Sequence, residues 1–144
     1  MPTVKNVRGT NTNCVTTELN SLANNTNVIG PTITVTSGEE GHRSGEAELV
    51  VTFPVAPIVS TSVVLWILRE VDGANFEDGG ASVTPTRVPD AIFTVRPVTV
   101  AQRIVALVDI PPGTFKCLLR NDGTTQAMAA SGNTLKIRPF TESF

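Results

Sequence analysis

The sequence has 144 residues and a formal net charge of −2, with 17% charged and 40% hydrophobic residues. This length suits one domain with a single core, and the balanced charge argues against the dense basic field that direct nucleic-acid binding requires. No apolar stretch approaches the ~18 residues of a membrane span and no signal-peptide segment opens the sequence, so we expect no membrane partner and no export.

The first 27 residues are rich in Asn and Thr and poor in large apolar side chains. Leu19 and Leu22 are three residues apart and follow a Thr-Thr pair that could cap a helical turn or two. We therefore predict an extended N-terminal arm over residues 1–27, which Leu19 and Leu22 anchor onto a neighbouring subunit. A β-sandwich domain is predicted over residues 28–144.

From residue 31 onward, apolar and polar side chains alternate with a period of two, which is typical of half-buried antiparallel strands. Aromatic residues make up only 5% of the chain while Thr and Val are abundant, which also favours strands. Predicted strands cover 32–36, 46–53, 60–70, 90–98, 101–110, 113–122 and 133–140, with a weaker one at 126–131. Turns rich in Gly and Pro separate them. The pattern predicts an all-β antiparallel β-sandwich or jelly roll of about seven or eight strands.

Segment 60–70 is apolar on both faces, which predicts a central strand covered on both sides. Trp66 shares one face with Val64 and Leu68. We interpret this face as the one that fills the core between the sheets, with the arm or a loop covering the opposite face. The alternative is that a neighbouring subunit covers it.

The segment VDGANFEDGG at 71–80 crowds acidic, amide and glycine residues together. Its acidic and amide side chains are Asp72, Asn75, Glu77 and Asp78. An EF-hand loop needs flanking helices and Gly at its sixth position, whereas the flanks here are strands and the sixth position is Glu77. We therefore predict turns, with positive φ at the glycines, and no metal or cofactor. Phe76, between two turns, is expected to fold back onto the sandwich as a lid.

His42 is the only histidine, in a loop beside Glu39, Glu40 and Glu46. No Ser or Cys nucleophile has a spacing that ties it to His42, so we expect a solvated loop residue and no catalytic residues. Carbohydrate chemistry is also unfavoured, because Trp66 is the only Trp and Tyr is absent. We therefore predict that the chain is not an enzyme.

Cys14 and Cys117 are 103 residues apart, and neither has a second Cys or His at ligand spacing. Neither a zinc site nor a CxxC redox motif can therefore be built locally around either cysteine. Two buried or half-buried free thiols are favoured over a disulfide.

Basic side chains mark one face of two predicted strands. Lys116 and Arg120 share a face of one strand, and Lys136 and Arg138 share a face of the other. Such charges are usually solvated. If the strands are adjacent, they would form a modest basic strip that steers docking onto an acidic surface.

Five segments together resemble one family of small virion proteins. They are LNSLANNT (19–26), ELVVTF (48–53), VDGANFEDGG (71–80), QRIVALVDIPPGTFKCLLRNDG (102–123) and ASGNTLKIRPF (130–140). In this order they resemble the cement, or capsid decoration, proteins of short-tailed bacteriophages. The resemblance implies a jelly roll or related β-sandwich on the outside of the phage head, where it bridges adjacent major capsid protein subunits without performing chemistry.

Together with this resemblance, the observations predict a non-enzymatic virion protein. We expect it to be made in the bacterial cytoplasm and bound to the outer surface of the capsid. Its expected partners are the major capsid protein and further copies of itself, as a dimer or trimer. The candidate partner-binding residues are Leu19, Leu22, Asp72, Asn75, Phe76 and Glu77. A carbohydrate-binding module and a tail or fibre attachment module remain alternatives, and an enzyme is the third.

Overall fold

The computed structural model describes residues 5–34 and 44–143, and this part of the chain is all β apart from one 3₁₀ turn at Thr17–Leu19. The strands are β1 Lys5–Arg8, β2 Thr12–Val15, β3 Asn27–Ile29, β4 Ile33–Thr34, β5 Ser44–Val51, β6 Ser62–Arg69, β7 Ala91–Thr94, β8 Gln102–Asp109, β9 Thr114–Asp122 and β10 Thr134–Ser143. The predicted fold class is confirmed. No helix in the described ranges is long and apolar enough to span a membrane.

The strands form two antiparallel sheets. In sheet A, β1 and β2 both pair with one edge of β10. The other edge of β10 pairs with β5, and β5 pairs with β8. In sheet B, β3 and β4 both pair with one edge of β9. The other edge of β9 pairs with β6, and β6 pairs with β7. The ten strands thus occupy eight positions, four in each sheet. This strand order is that of a jelly roll.

The core lies between the two sheets and takes alternate residues of the long strands β5, β6, β8 and β9. Ala47, Leu49 and Val51 of β5 are fully buried there, as are Phe53 and Phe93. Fully burying a Val, Leu or Phe side chain contributes about 1.5–3 kcal/mol. The polar residues of β5 alternate with these on the outer face of sheet A, as the sequence pattern predicts.

The central position of β6 and the burial of both its faces are confirmed, but the predicted assignment of its faces is wrong. Val63, Leu65 and Ile67 line the core between the sheets. Trp66 points the opposite way, with Val64 and Leu68, into a second cluster on the outer face of sheet B. Leu118 of β9 completes this cluster, and Ile29 packs against it. Since both faces of β6 are equally apolar, its own sequence could not distinguish them.

The N-terminal segment is not an arm, and the prediction for Leu19 and Leu22 is wrong. β1 and β2 form one edge of sheet A, and a division after residue 27 would cut through β3. The side chain of Leu19 is 0% exposed and that of Leu22 is 8% exposed, both inside the core of their own chain. These two side chains therefore serve the fold and do not anchor the segment on a neighbour.

The remaining predicted strands differ from the structure mainly at their ends. The strand predicted at 90–98 is reduced to Ala91–Thr94, and the one at 32–36 is described only over Ile33–Thr34. No strand forms at 126–131. Met128 there is buried, and its N–H bonds to the carbonyl oxygen of Leu22 at 3.0 Å, so the segment packs as an ordered loop.

Both cysteines are buried and free, as predicted. Cys14 lies on β2 of sheet A and Cys117 on β9 of sheet B, so the two thiols meet across the core. Hydrogen bonding between them, together with burial, raises the pKa of Cys117 well above its ordinary value.

Candidate functional site

Asp72 and Asn75 build the turn at the start of segment 71–80. One carboxylate oxygen of Asp72 accepts the backbone N–H groups of Ala74 and Asn75 at 3.2 and 2.8 Å. The other accepts the side-chain amide of Asn75 at 2.7 Å. The bond from this amide, and then those from the two backbone groups, lower the pKa of Asp72. Gly73 has a φ of +86°, which suits glycine. Both oxygens of Asp72 are therefore engaged in closing the turn.

Phe76 folds back onto the outer face of sheet B. It forms an isolated β-bridge with Glu70 and is half-buried. The ammonium of Lys116, on β9, lies 4.6 Å from the centroid of the Phe76 ring. A cation–π contact at a partly exposed site is worth about 0.5–1 kcal/mol. The ring therefore has the position expected of a lid, and its partner is a side chain of its own chain.

Glu77, Arg87 and Asp90 take the place of a strand beside the second half of β6. β7 pairs only with the first half of β6, so the polar groups beyond it need other partners. Asp90 accepts the N–H of Ile67 at 2.6 Å, and Arg87 donates to the carbonyl oxygen of Ile67 at 2.7 Å. Glu77 accepts the N–H of Arg69 at 3.0 Å. Side chains thus satisfy the backbone where the sheet ends.

The same three side chains form an ion-pair network. Arg87 contacts Glu77 at 2.9 Å and Asp90 at 3.0 Å. Burial raises the pKa of Glu77, but the bonds from Arg87 and the Arg69 N–H outweigh it, so that pKa is lowered overall. Burial lowers the pKa of Arg87, but its two carboxylate partners raise it overall. The open cleft of 280 Å³ beside this network is lined by Glu77 and Arg87, whose charges are already paired.

Residues 71–90, here called the cover segment, seal the outer apolar cluster. The indole Nε1 of Trp66 donates to the carbonyl oxygen of Arg87 at 3.0 Å. A Cβ built on Gly79 would meet the side chains of Leu68 at 2.9 Å and Leu118 at 3.2 Å. Gly79 and Gly80 do not have the positive φ that we predicted, so that expectation is wrong. Gly79 is needed because its backbone lies directly on the leucines.

The loops 16–26, 52–61, 95–101 and 123–133 gather at the opposite end of the sandwich from the turn at residues 71–75. Strand register shows this, because Ser62 lies beside both Thr94 and Asp122, and Asn27 lies beside Arg120. Backbone hydrogen bonds tie loops to one another, as in the bond from Ile58 N–H to Thr124 O at 3.2 Å. We call these four loops the apolar loop end, for the exposed aliphatic side chains on two of them, 52–61 and 95–101.

The tips of the apolar loop end carry exposed aliphatic side chains. Val55, Ile58 and Val59 on loop 52–61 are 58, 51 and 66% exposed, and Val100 is 62% exposed. A signal for this surface exists in the sequence PVAPIV at 54–59. Its two prolines argue against a strand interior, so its apolar residues need not alternate between a core and solvent.

Buried amide side chains hold the apolar loop end in one conformation. The amide nitrogen of Asn121 donates to the carbonyl oxygens of Leu22 at 3.0 Å and Gln126 at 2.8 Å. The amide oxygen of Asn133 accepts the N–H of Thr52 at 3.0 Å, and its nitrogen donates to the carbonyl oxygen of Ala129 at 2.8 Å. Loops from distant parts of the sequence are thereby joined.

Gln102 closes the remaining loop of the four, 95–101. It is 1% exposed, and its amide bonds both the N–H of Arg96 at 2.7 Å and the carbonyl oxygen of Arg96 at 2.9 Å. The Gln102 side chain, at the start of β8, therefore fixes the loop 95–101 together with the backbone bond from Val95 N–H to Thr61 O at 3.0 Å.

Backbone strain is concentrated at the same end. In the described part of the chain, the non-glycine residues with positive φ are Ser21, Asn25, Ser60 and Thr125, with φ between 58° and 65°. All four lie in loops of the apolar loop end. Such conformations cost about 1–3 kcal/mol each and persist where surrounding bonds enforce them. The Asn24 side chain, which accepts the Thr125 N–H at 2.9 Å, is one such bond.

Two further predictions from the sequence concern the basic strip and His42. The basic strip is wrong, because Lys116 and Arg120 lie on β9 of sheet B whereas Lys136 and Arg138 lie on β10 of sheet A. His42, with Glu39 and Glu40, lies outside the described residues. Within those residues, no group of three or more His, Cys, Asp or Glu is placed to hold a metal ion.

The structure therefore separates the six candidate partner-binding residues into three locations. Leu19 and Leu22 are in the core, Asp72 and Asn75 close a turn, and Phe76 and Glu77 hold the cover segment on sheet B. The exposed valines and isoleucine of the apolar loop end were not among the candidates. Comparison of the sequence with models of known protein families and with curated proteins finds no match.

Proposed function

We propose that this protein is a non-enzymatic capsid cement protein of a bacteriophage, which binds the outside of the head and bridges adjacent major capsid protein subunits. The proposal rests on the resemblance of five segments to short-tailed phage decoration proteins, and the jelly-roll fold is compatible with it. The observation that carries it in the structure is the apolar loop end, where rigid loops expose Val55, Ile58, Val59 and Val100.

Rigid apolar tips suit docking onto an ordered lattice. Burying a Val or Ile side chain contributes about 1.5–3 kcal/mol, and loops that are already fixed lose little conformational freedom on binding. Asn121, Asn133 and Gln102 supply this rigidity. Several such contacts from an oligomer would combine by avidity into firm attachment.

A clamp of this kind stabilises the head by mass action. Protein that binds only the assembled lattice adds its binding free energy to the intact shell and none to separated subunits. The turn at residues 71–75 lies at the other end of the sandwich, so a flat docking surface cannot include both. We therefore assign docking to the apolar loop end in place of the six residues chosen from the sequence.

Co-sedimentation with phage heads that lack the protein tests this assignment. Ile58→Asp and Val59→Asp should abolish or strongly reduce binding, because each would desolvate a charge at the contact. Val88→Asp is the matched control, since Val88 is 79% exposed but lies in the cover segment. All three variants should melt at the wild-type temperature. Equal binding of all three would contradict docking through this end.

The cement role has a separate readout. Heads without the protein should assemble but burst at lower temperature or on osmotic challenge, and added protein should restore them. If antibody labelling placed the protein on the tail or fibres, with head stability unaffected by its loss, the cement role would be wrong.

The carbohydrate-binding alternative is not favoured by the position of Trp66. The indole is 5% exposed beneath the cover segment, so it cannot stack on a sugar ring. Micromolar binding on a glycan array would reinstate that alternative.

A further inference from the structure

The four strand positions at the edges of the two sheets differ in how well they are protected from pairing with another chain. β1 and β2 are four residues each with a break between them, and β7 has four residues. β3 has three residues and β4 is described over two, and the three residues 30–32 between them include Gly30 and Pro31. Short or interrupted strands are a common protection against edge-to-edge pairing. Three of the four edges are therefore protected.

β8 is the exception. It runs without interruption for eight residues, from Gln102 to Asp109, and contains no Gly, Pro or Lys. β5 pairs with one side of it along its full length, and no strand in the described residues pairs with the other side. A long continuous edge of this kind presents a row of backbone donors and acceptors to another strand.

The side chains of β8 are incompletely covered on both faces. On the outer face, Val105 and Leu107 are 56 and 72% exposed. On the inner face, Ile104 and Ala106 point towards the core but are only partly buried. One further strand beside β8 would cover all four.

The charges of β8 indicate which strand fits. Arg103 and Asp109 lie on the same outer face, near opposite ends of the strand. In an antiparallel pair of two β8 strands with Ala106 on the two-fold axis, Arg103 of each copy lies opposite Asp109 of the other. Val105 then lies opposite Leu107, and Ile104 opposite Val108. Displacing the register by two residues either way would place Arg103 opposite Leu107, or Asp109 opposite Val105.

We propose that two copies of this chain form a dimer by antiparallel pairing of their β8 edges, in the register centred on Ala106. Sheet A then continues across the two-fold axis. Asp109 has no ion pair within the described residues, whereas Arg103 already contacts Glu48 at 3.0 Å and would share its guanidinium between two carboxylates. The dimer depends only on the β8 edge and stands whether or not the protein binds phage heads.

Charge reversal tests the dimer with the purified chain alone. Sedimentation velocity over a range of concentrations should give twice the mass of the chain for the wild type. Arg103→Asp and Asp109→Arg should each weaken the dimer about tenfold or more, because each creates two like-charged cross-strand pairs by symmetry. The double variant exchanges the two charges and should restore dimerisation. Asp78→Arg, which makes the same change of charge on the cover segment, should leave the dimer intact.

Cross-linking tests the register. Ala106→Cys places two thiols directly opposite each other across the axis, where copper phenanthroline as oxidant should join them in a disulfide. Ile104→Cys places its two thiols on opposite sides of the axis, four residues apart along the pair, and should not cross-link. The two buried native thiols are present in both variants and in the wild type, which serves as the control.

Two outcomes would overturn the proposal. One is a wild-type chain that remains monomeric at about 100 μM, because the dissociation constant of the dimer would then lie well above that concentration. The other is an oligomer that survives both single charge reversals unchanged, with Ile104→Cys cross-linking as readily as Ala106→Cys.

Discussion

Arg87 holds Glu77 with two bonds, from Nε to one carboxylate oxygen at 2.9 Å and from Nη2 to the other at 3.2 Å. This pair fixes the cover segment to the edge of β6, since Arg87 also donates to the carbonyl oxygen of Ile67 and Glu77 accepts the N–H of Arg69. This ion pair therefore supplies the backbone hydrogen bonds that a neighbouring strand would otherwise make to β6. We therefore expect it to contribute more to stability than a surface salt bridge, whose median is about 0–1 kcal/mol.

Replacing Arg87 should destabilise the protein more than replacing an exposed arginine. We expect Arg87→Ala to cost about 2–3 kcal/mol, because Glu77, Asp90 and the Ile67 carbonyl all lose a charged donor. Urea denaturation should show a lower midpoint with an unchanged slope. Arg96→Ala is the control, since the bonds of Arg96 to Gln102 use only its backbone. A similar midpoint for both variants would contradict this role.

The Glu77 carboxylate should make stability depend on pH in the acid range. Its pKa in the folded protein lies below the ordinary value of 4.5, so its contribution is fully present above pH 4.5. That contribution is lost as the pH falls through the lowered pKa. The difference in unfolding free energy between wild type and Glu77→Gln should therefore shrink below pH 4.5. Parallel curves for wild type and Glu77→Gln across this pH range would disprove the assignment.

Two neighbouring glycines should respond differently to the same substitution. Gly79→Ala should cost about 1–3 kcal/mol, because its Cβ would overlap Leu68 and force the cover segment away from sheet B. Gly80→Ala should be nearly neutral, since a Cβ there meets nothing within 4 Å. Thermal melting compares the pair directly. Trp66 fluorescence should shift to the red only in Gly79→Ala, and an equal response from both variants would count against close packing at Gly79.

The N-terminal segment should be indispensable for folding. Leu19→Ala should cost about 2–5 kcal/mol, as expected for a fully buried leucine. Val88→Ala, at an exposed position, should change stability by less than about 0.5 kcal/mol. Removing residues 1–25 should abolish cooperative unfolding, because Cys14, Val15, Leu19 and Leu22 leave the core together. A truncated chain with a wild-type melt would restore the arm interpretation.

The strands could be predicted from the sequence wherever one face is polar. β5 alternates Glu46 and Glu48 with Ala47 and Leu49, and the structure places the two sets on opposite faces. β6 lacks such alternation, so the face that Trp66 occupies depends on the cover segment, which packs on the outer side of sheet B. Its centrality was predictable, but its orientation was not.

The N-terminal segment was misread because its Asn residues look like those of an unstructured arm. Asn24 and Asn25 in fact accept backbone N–H groups of Thr125 and Gly123, about a hundred residues away in the sequence. Local composition cannot reveal a partner that distant. The candidate site had the same difficulty, since the apolar loop end is assembled from four separate loops.

Because Cys14 and Cys117 are buried between the two sheets, their reaction with a thiol reagent reports on the opening of the sandwich. A thiol reagent in the solvent reaches either sulfur only when the two sheets part, and the raised pKa of Cys117 keeps the reactive thiolate scarce in the closed state. The rate of labelling, divided by the rate for an exposed thiol, therefore measures the fraction of molecules in which the sandwich is open. Each substitution discussed above can be ranked on that scale without denaturant.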